Sequence, residues 1–194
     1  MGWYRIAESR PENYDEMKGW FEKRTKKHIE LVQKYCKEIE KYNPEKFKGL
    51  IDKGKSHDES KFKDPEIEPY IYIAWDYKCK DDKVKFDIPK EIKEKMNQAT
   101  EHHVKNNDHH PEKHTNQKNN LINRENRDKP PEELIDATKM KDLDIAEMVA
   151  DWLAMSEEKN SQPKSWADKN VNIRWKFTDK QKDLIYQLID DIWE

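Results

Sequence analysis

The sequence predicts an all-α fold, a single-domain helical bundle over residues 1–194, and three observations support this prediction. Apolar residues recur at steps of three and four along most of the chain, which is the period of a helix with one buried face. Strand patterns are scarce, and only residues 172–177 suggest a short extended segment. The length suits one domain, and neither an internal repeat nor a composition boundary divides it.

A long amphipathic helix is predicted over residues 15–42. Because residues three and four apart share one face of a helix, the side chains of its apolar stripe should point into the core together. The stripe consists of Phe21, Thr25, His28, Val32, Tyr35, Ile39 and Tyr42. His28 is therefore expected to be buried.

Four shorter helices are predicted before residue 106. Asn43 and Pro44 are typical of a helix start, and Gly54 is a plausible stop for that helix. A short helix carrying the His57-Asp58 pair should end near Pro65. The other two cover residues 66–78 and, after a charged loop at 79–87, the segment that Pro89 opens. That last helix has the stripe Ile92, Met96, Ala99 and His103, which points His103 inward and leaves His102 off the stripe.

The rest of the chain predicts a long loop and two helices. Residues 106–130 are polar and poor in apolar side chains, as expected for a loop. A helix should run over 132–158, with a possible break near Lys141, and its second half is apolar on nearly every side. Thr178 and Gln181 have the spacing of a capping box for the last helix.

Composition excludes several classes of function. With 38 Lys and Arg against 41 Asp and Glu, the net charge of −3 argues against binding of a nucleic-acid polymer. The four glycines form no phosphate-binding loop. Cys36 and Cys79 are isolated, which suits a reducing compartment. No apolar run is long enough for a membrane span, and no secretory segment is evident, so we expect a cytoplasmic protein.

Histidines and two acids are the main candidates for chemistry. Each has an ordinary explanation when taken alone, such as a core histidine or an exposed loop pair. Asp151 is the most informative, because a carboxylate within MVADWLAM is costly to bury without a cationic partner, either a Lys or Arg from another helix or a metal ion. Imidazole and carboxylate together suit Mn, Fe, Co, Ni or Zn. The full set, His28, His57, Asp58, His103, His109, His110 and Asp151, contains enough ligands for two ions.

These segments, with HDESK at residues 57–61, resemble the HD-domain superfamily of metal-dependent phosphohydrolases. The resemblance implies a bundle of HD-domain type, with His28, His57, Asp58 and Asp151 as core metal ligands. It also implies that His103, His109 and His110 complete a second metal position. Lys61 would contact phosphate or the metal-bound hydroxide, so that Asp58 and Lys61 are the implied catalytic residues.

The implied activity is hydrolysis of a phosphate ester, a nucleotide or a related phosphomonoester or phosphodiester, by attack of a metal-bound hydroxide. One alternative is a di-iron oxygenase on the same fold, and another is a non-enzymatic interaction protein with a structural metal. Arg174 is a candidate for binding the substrate phosphate, although stacking on a tryptophan is the simpler role. The stretches HDESKF, HHVKNNDHHPE, MVADWLAM and WADKNVNIRW also resemble an uncharacterised family of bacteria and phages. A phage protein would act in the host cytoplasm.

Overall fold

The computed structural model is mostly helical and confirms the predicted all-α class. It describes residues 13–116 and 133–193, and these form seven α-helices, two 3-10 turns and two short strands. The helices are α1 (Tyr14–Tyr42), α2 (Leu50–Lys55), α3 (Ile67–Asp81), α4 (Lys90–Asn106), α5 (Asp142–Lys159), α6 (Pro163–Asn170) and α7 (Asp179–Ile192). The 3-10 turns are Glu59–Phe62 and Pro111–His114, and the strands are β1 (Ile135–Asp136) and β2 (Trp175–Lys176).

Helix α1 joins the two halves of the hydrophobic core. Its N-terminal half packs with α3 and α4, where Phe21 is buried among their apolar side chains. Its C-terminal half packs with α2, α5 and α7, where Val32 and Ile39 are buried. Between these positions the same face of α1 carries two buried polar side chains, Thr25 and His28. A polar layer therefore lies where the two apolar clusters meet.

Several predicted elements are confirmed. Helices α1 and α4 have the expected extents, and His28 and His103 are buried as their stripes predict. The capping box at the start of α7 forms, because the Thr178 side chain accepts from the Gln181 backbone N–H and the Gln181 side chain accepts from the Thr178 backbone. The extended segment within 172–177 includes β2, which pairs in parallel with β1.

The region around the predicted 44–54 helix differs from the prediction. Asn43 Oδ1 accepts a hydrogen bond from the Lys46 N–H, as a cap would, but only one turn follows. Gly49 then adopts a left-handed backbone with φ of 95°, which interrupts the chain after that turn, and α2 begins at Leu50. Gly54 lies inside α2, where a Cβ would come within 2.9 Å of Cys36 Sγ. Glycine at this position therefore allows α2 to approach α1 closely.

The predicted short helix forms only as the 3-10 turn Glu59–Phe62, so the prediction is confirmed for Lys61 and Phe62 and wrong for His57 and Asp58. Asp58 has a left-handed backbone, with φ of 59° and ψ of 11°, which no right-handed helix can contain. The two residues lie in a turn, and a 3-10 turn follows at Glu59–Phe62. The helix predicted over 66–78 extends to Asp81, so Cys79 belongs to α3 rather than to the charged loop.

The predicted 132–158 helix begins only at Asp142. Before it, Ile135 and Ala137 donate backbone hydrogen bonds to the carbonyls of Arg174 and Lys176, and β1 forms instead of a helix. This pairing joins segments distant in sequence, so local propensity does not reveal it. The predicted 106–130 loop contains the 3-10 turn Pro111–His114. Its residues 117–130, and the first residue of the predicted helix, lie outside the described residues.

None of the helices in the described part of the chain combines the length and apolar character that a membrane span requires.

Helix α6, which no sequence pattern predicted, packs against α5 and α7. Its first residue is Pro163, a favoured position for proline because the missing N–H has no helical partner.

Candidate metal centre

Five elements of the bundle bring all seven predicted ligands into one buried cluster. We call this set the histidine cluster: His28 on α1, His57 and Asp58 on the turn after α2, His103 on α4, His109 and His110 on the turn after α4, and Asp151 on α5. Neighbouring imidazole rings have centroids 4.1–6.0 Å apart. The cluster occupies the polar layer between the two apolar clusters.

Asp58 lies at the centre of the histidine cluster. Its Oδ1 is 3.1 Å from His103 Nε2 and 3.7 Å from His109 Nε2, and its Oδ2 is 3.7 Å from His57 Nε2. Asp58 Oδ2 also accepts a hydrogen bond from Lys61 Nζ. Burial raises the pKa of Asp58, but the charges of Lys61 and His57 outweigh this and hold its pKa well below the usual range. Asp58 is therefore an ionised carboxylate at neutral pH.

The backbone of Asp58 is part of this arrangement. Its left-handed conformation is uncommon for a residue other than glycine, although Asp and Asn tolerate it better than most. Such a conformation costs on the order of 1 kcal/mol and persists only where the surrounding structure enforces it. It lies in the turn after α2, where the adjacent side chains of His57 and Asp58 point toward the same buried centre.

His28 and Asp151 form the second part of the cluster. His28 Nε2 is 3.0 Å from Asp151 Oδ1, and its Nδ1 is 3.6 Å from Glu158 Oε1. Burial lowers the pKa of His28, but the contacts with Asp151 and Glu158 prevail and raise it to about 9. Burial raises the pKa of Asp151, and the hydrogen bond from His28 more than offsets this, so the pKa lies below its usual range. The described partner of Asp151 is thus a histidine, not the lysine or arginine of the ordinary explanation.

The ligand atoms are close enough to share metal ions. Three groups each offer ligand atoms that lie within 4.8 Å of one another. They are His28 with His57 and Asp58; His103 with His109 and His110; and His57 with His109 and Glu147. The first two groups contain all of the histidine cluster except Asp151, and they form two neighbouring positions, which is compatible with the binding of two ions.

Two buried atoms of the cluster support a fit to metal. Within the described residues, His57 Nε2 has no hydrogen-bond partner, and Asp58 Oδ1 makes no hydrogen bond of good geometry despite its imidazole neighbours. Buried polar atoms in folded proteins are nearly always satisfied, and a bound cation is one way to satisfy them. Because nitrogen and carboxylate donors suit divalent transition metals, the residues fit such an ion.

Two glutamates that the sequence analysis did not single out also contact the cluster. Glu147 Oε1 on α5 is 3.0 Å from His57 Nδ1 and 3.5 Å from His109 Nδ1. Glu66 Oε2 is 2.9 Å from His103 Nδ1. Burial raises the pKa of each glutamate, but its histidine contacts outweigh this and keep the pKa below the usual value.

The sequence held a signal for only one of these glutamates. Glu147 lies one helical turn before Asp151 in the same apolar segment, so the argument made for Asp151 applied to it equally. Glu66 stands between Pro65 and Ile67 in a polar stretch, and no pattern marks it as buried.

A partly buried lysine offsets part of the negative charge behind the histidines. Lys53 Nζ on α2 lies 2.7 Å from Asp108, 3.0 Å from Asp144 and 3.3 Å from Glu147 Oε2. Asp144 contacts Lys53 and so reaches the cluster through that side chain and Glu147.

Lys61 and Arg174 occupy different surroundings. Lys61 contacts Asp58 and lies 5.3 Å from the centre of the Tyr70 ring, with about a fifth of its side chain exposed (20%). Arg174 is buried, and its guanidinium lies 4.7 Å from the Trp175 ring centre, which confirms the stacking alternative. The Nη2 atom of Arg174 is 3.4 Å from Glu112 Oε1. Glu112 is buried and also accepts a hydrogen bond from Trp175 Nε1.

Comparison with known proteins places the chain in a family but assigns no activity. No curated protein and no solved structure matches it. A family model described as a family of unknown function (DUF5662) matches residues 17–191, a range that contains the whole histidine cluster. The resemblance to an uncharacterised family agrees with this match, whereas membership of the HD-domain superfamily stays a prediction. The chain therefore belongs to the DUF5662 family of unknown function.

Proposed function

We propose that this chain is a metal-dependent phosphohydrolase of HD-domain type that acts on a phosphate ester, a nucleotide or a related compound. The observation that carries the proposal is the position of Asp58. Its carboxylate faces Nε2 atoms of three buried histidines and, on the same side chain, the partly exposed ammonium of Lys61. A cation bound at this carboxylate would lie beside a positive group that reaches solvent.

The proposed ligands divide around Asp58. His28, His57, Asp58 and Asp151 would hold one divalent ion. His103, His109 and His110, with Asp58 shared, would hold another. Bound divalent ions lower the pKa of water and neutralise the charge that develops on a phosphoryl group.

The protein side chains contribute in two further ways. Lys61 supplies a fixed positive charge that binds a phosphoryl oxygen, and Asp58 and Tyr70 hold its ammonium in place. His57, His103 and His109 are each at most 3% exposed, so water is largely excluded behind the substrate. Electrostatic interactions are stronger in such a site than in bulk water.

Metal-dependent cleavage of phosphate esters tests the proposal. Protein loaded with Mn²⁺ or Fe²⁺ under anaerobic conditions is assayed for phosphate release from nucleotides, aryl phosphates and aryl phosphodiesters. We expect turnover of at least one ester that disappears on chelation. If protein with confirmed bound metal cleaves none of them, the proposed reaction is wrong. Oxygen consumption by the iron form instead would support the oxygenase alternative.

Substitutions of Lys61 and Lys63 distinguish a direct role of Lys61 in the site from a general effect of removing positive charge. Lys61→Met should lower kcat by about 10²-fold, as expected for loss of one group that stabilises transition-state charge. Lys63→Met is the matched control, because Lys63 is exposed and pairs only weakly with Glu59 at 3.5 Å. Equal activity of the two variants would remove Lys61 from the mechanism.

A further inference from the structure

We propose that Glu66 and Glu147 are positioning residues that present the Nε2 atoms of His57, His103 and His109 to the metal centre. The inference rests on the proposed function, because it concerns the same centre. It adds which nitrogen of each ring binds the ion and what fixes that choice. Neither glutamate belongs to the ligand set that the sequence resemblance implies.

The three histidines share one orientation. Each directs its Nε2 atom toward Asp58, at distances of 3.7, 3.1 and 3.7 Å for His57, His103 and His109. Each directs its Nδ1 atom toward a glutamate, at 3.0, 2.9 and 3.5 Å in the same order. The rings come from three different segments of the chain, so their common orientation does not follow from one local backbone geometry.

The glutamates favour one protonated nitrogen in each ring. An ionised carboxylate only accepts hydrogen bonds, and each Nδ1 atom lies closer to its glutamate than the Nε2 atom of the same ring lies to Asp58, so a neutral imidazole here carries its proton on Nδ1. Its Nε2 atom then keeps the lone pair that a metal ion requires. Carboxylates placed in this way also hold the ring and increase the basicity of the ligand nitrogen.

Both glutamates are themselves held in place. Glu147 Oε2 is 3.3 Å from Lys53 Nζ, which is fixed in turn by Asp108 and Asp144. Glu66 Oε2 accepts a hydrogen bond from Ser60 Oγ at 2.9 Å, and its Oε1 is 2.7 Å from His102 Nδ1. Because Glu147 is shared by two imidazoles, one side chain orients ligands from both predicted metal positions.

A direct ligand role for Glu147 is the competing explanation, since its carboxylate lies within reach of His57 and His109. The contact with His57 Nδ1 is at hydrogen-bond length, which favours the positioning role. Alanine and glutamine substitutions separate the two. Glutamine keeps an acceptor oxygen and loses the charge, whereas alanine removes both.

The experiment measures Zn²⁺ binding to the full chain by competition with a chromophoric chelator. Glu147→Ala and Glu66→Ala should weaken Zn²⁺ binding by about 10–100-fold without changing the number of ions bound. The affinity of Glu147→Gln for Zn²⁺ should lie between that of Glu147→Ala and that of the wild type. Glu157→Ala is the matched control, because Glu157 lies on the same helix as Glu147 but contacts Lys34 and Tyr35 and, among the described residues, no histidine of the cluster. We expect it to change affinity by less than about 3-fold, below the range seen when a group that orients a ligand is lost.

A second measurement does not depend on any variant. In ¹⁵N NMR of Zn²⁺-loaded wild-type protein, His57, His103 and His109 should show a protonated Nδ1 and a metal-bound Nε2. Coordination through Nδ1, or Glu66→Ala and Glu147→Ala variants that bind Zn²⁺ as tightly as Glu157→Ala, would overturn the positioning role and leave the metal centre standing. Loss of one whole ion in Glu147→Gln would also overturn it, in favour of direct ligation. Wild-type protein that binds no Zn²⁺, Mn²⁺ or Fe²⁺ would instead overturn the proposed function.

Discussion

Replacement of Asp58 by asparagine isolates the charge at the centre of the histidine cluster. Asn has nearly the same shape as Asp and also tolerates the left-handed backbone found here, with φ of 59°. Asp58→Asn should therefore fold while losing the carboxylate that faces three imidazoles and Lys61. We expect it to lose the stabilisation that metal gives to the wild type.

The size of that stabilisation follows from mass action. An ion that binds only the folded state, present at 100 times its Kd, adds about 2.7 kcal/mol to the free energy of unfolding. In a domain of this size, 1 kcal/mol shifts Tm by roughly 2–4 °C, so one ion should raise Tm by about 5–11 °C. Two ions, as the two neighbouring ligand groups allow, should give about twice that shift. In Asp58→Asn the metal-induced rise in Tm should fall below about 2 °C, which corresponds to less than about 1 kcal/mol of stabilisation by the metal.

Thermal unfolding followed by circular dichroism, with chelator and with Zn²⁺ or Mn²⁺, measures these shifts. Asp52→Asn is the control, because Asp52 is an exposed acid of α2 that pairs with Lys55. It should keep the full metal-induced shift. A wild-type shift in Asp58→Asn would show that Asp58 is not a ligand and would contradict the proposed centre.

Three further predictions concern the packing around the site, and each is checked by chemical denaturation of the chelated protein. Gly54→Ala should destabilise the fold by about 1–2 kcal/mol, because the new Cβ lies 2.9 Å from Cys36 Sγ, and adding Cys36→Ala should recover part of the loss. Glu112→Ala removes a buried carboxylate partner of Arg174 and should cost about 3 kcal/mol. Thr178→Ala removes the cap of α7 and should cost about 1 kcal/mol. Losses below about 0.3 kcal/mol, within the effect of an ordinary surface substitution, would contradict each explanation.

The sequence alone was enough for features that depend on neighbours within a few turns. The stripes through His28 and His103 determined which way these residues face, because a helix repeats its face every three to four residues. The capping box of α7 is likewise a local pattern. Among the seven candidate ligands, His28, His103 and Asp151 stand out because imidazole and carboxylate are conspicuous among apolar neighbours.

Only the tertiary structure decided how those residues meet. The left-handed turn at Asp58 and the pairing of β1 with β2 depend on distant partners, so the helices predicted there do not form. The burial of Glu66 and Glu147 beside the histidines results from the packing of α2, α4 and α5 against one another. The sequence alone does not show which elements will cover a charged side chain. The sequence supplied the candidate ligands and the facing of His28 and His103, whereas long-range packing determined the orientation of each imidazole.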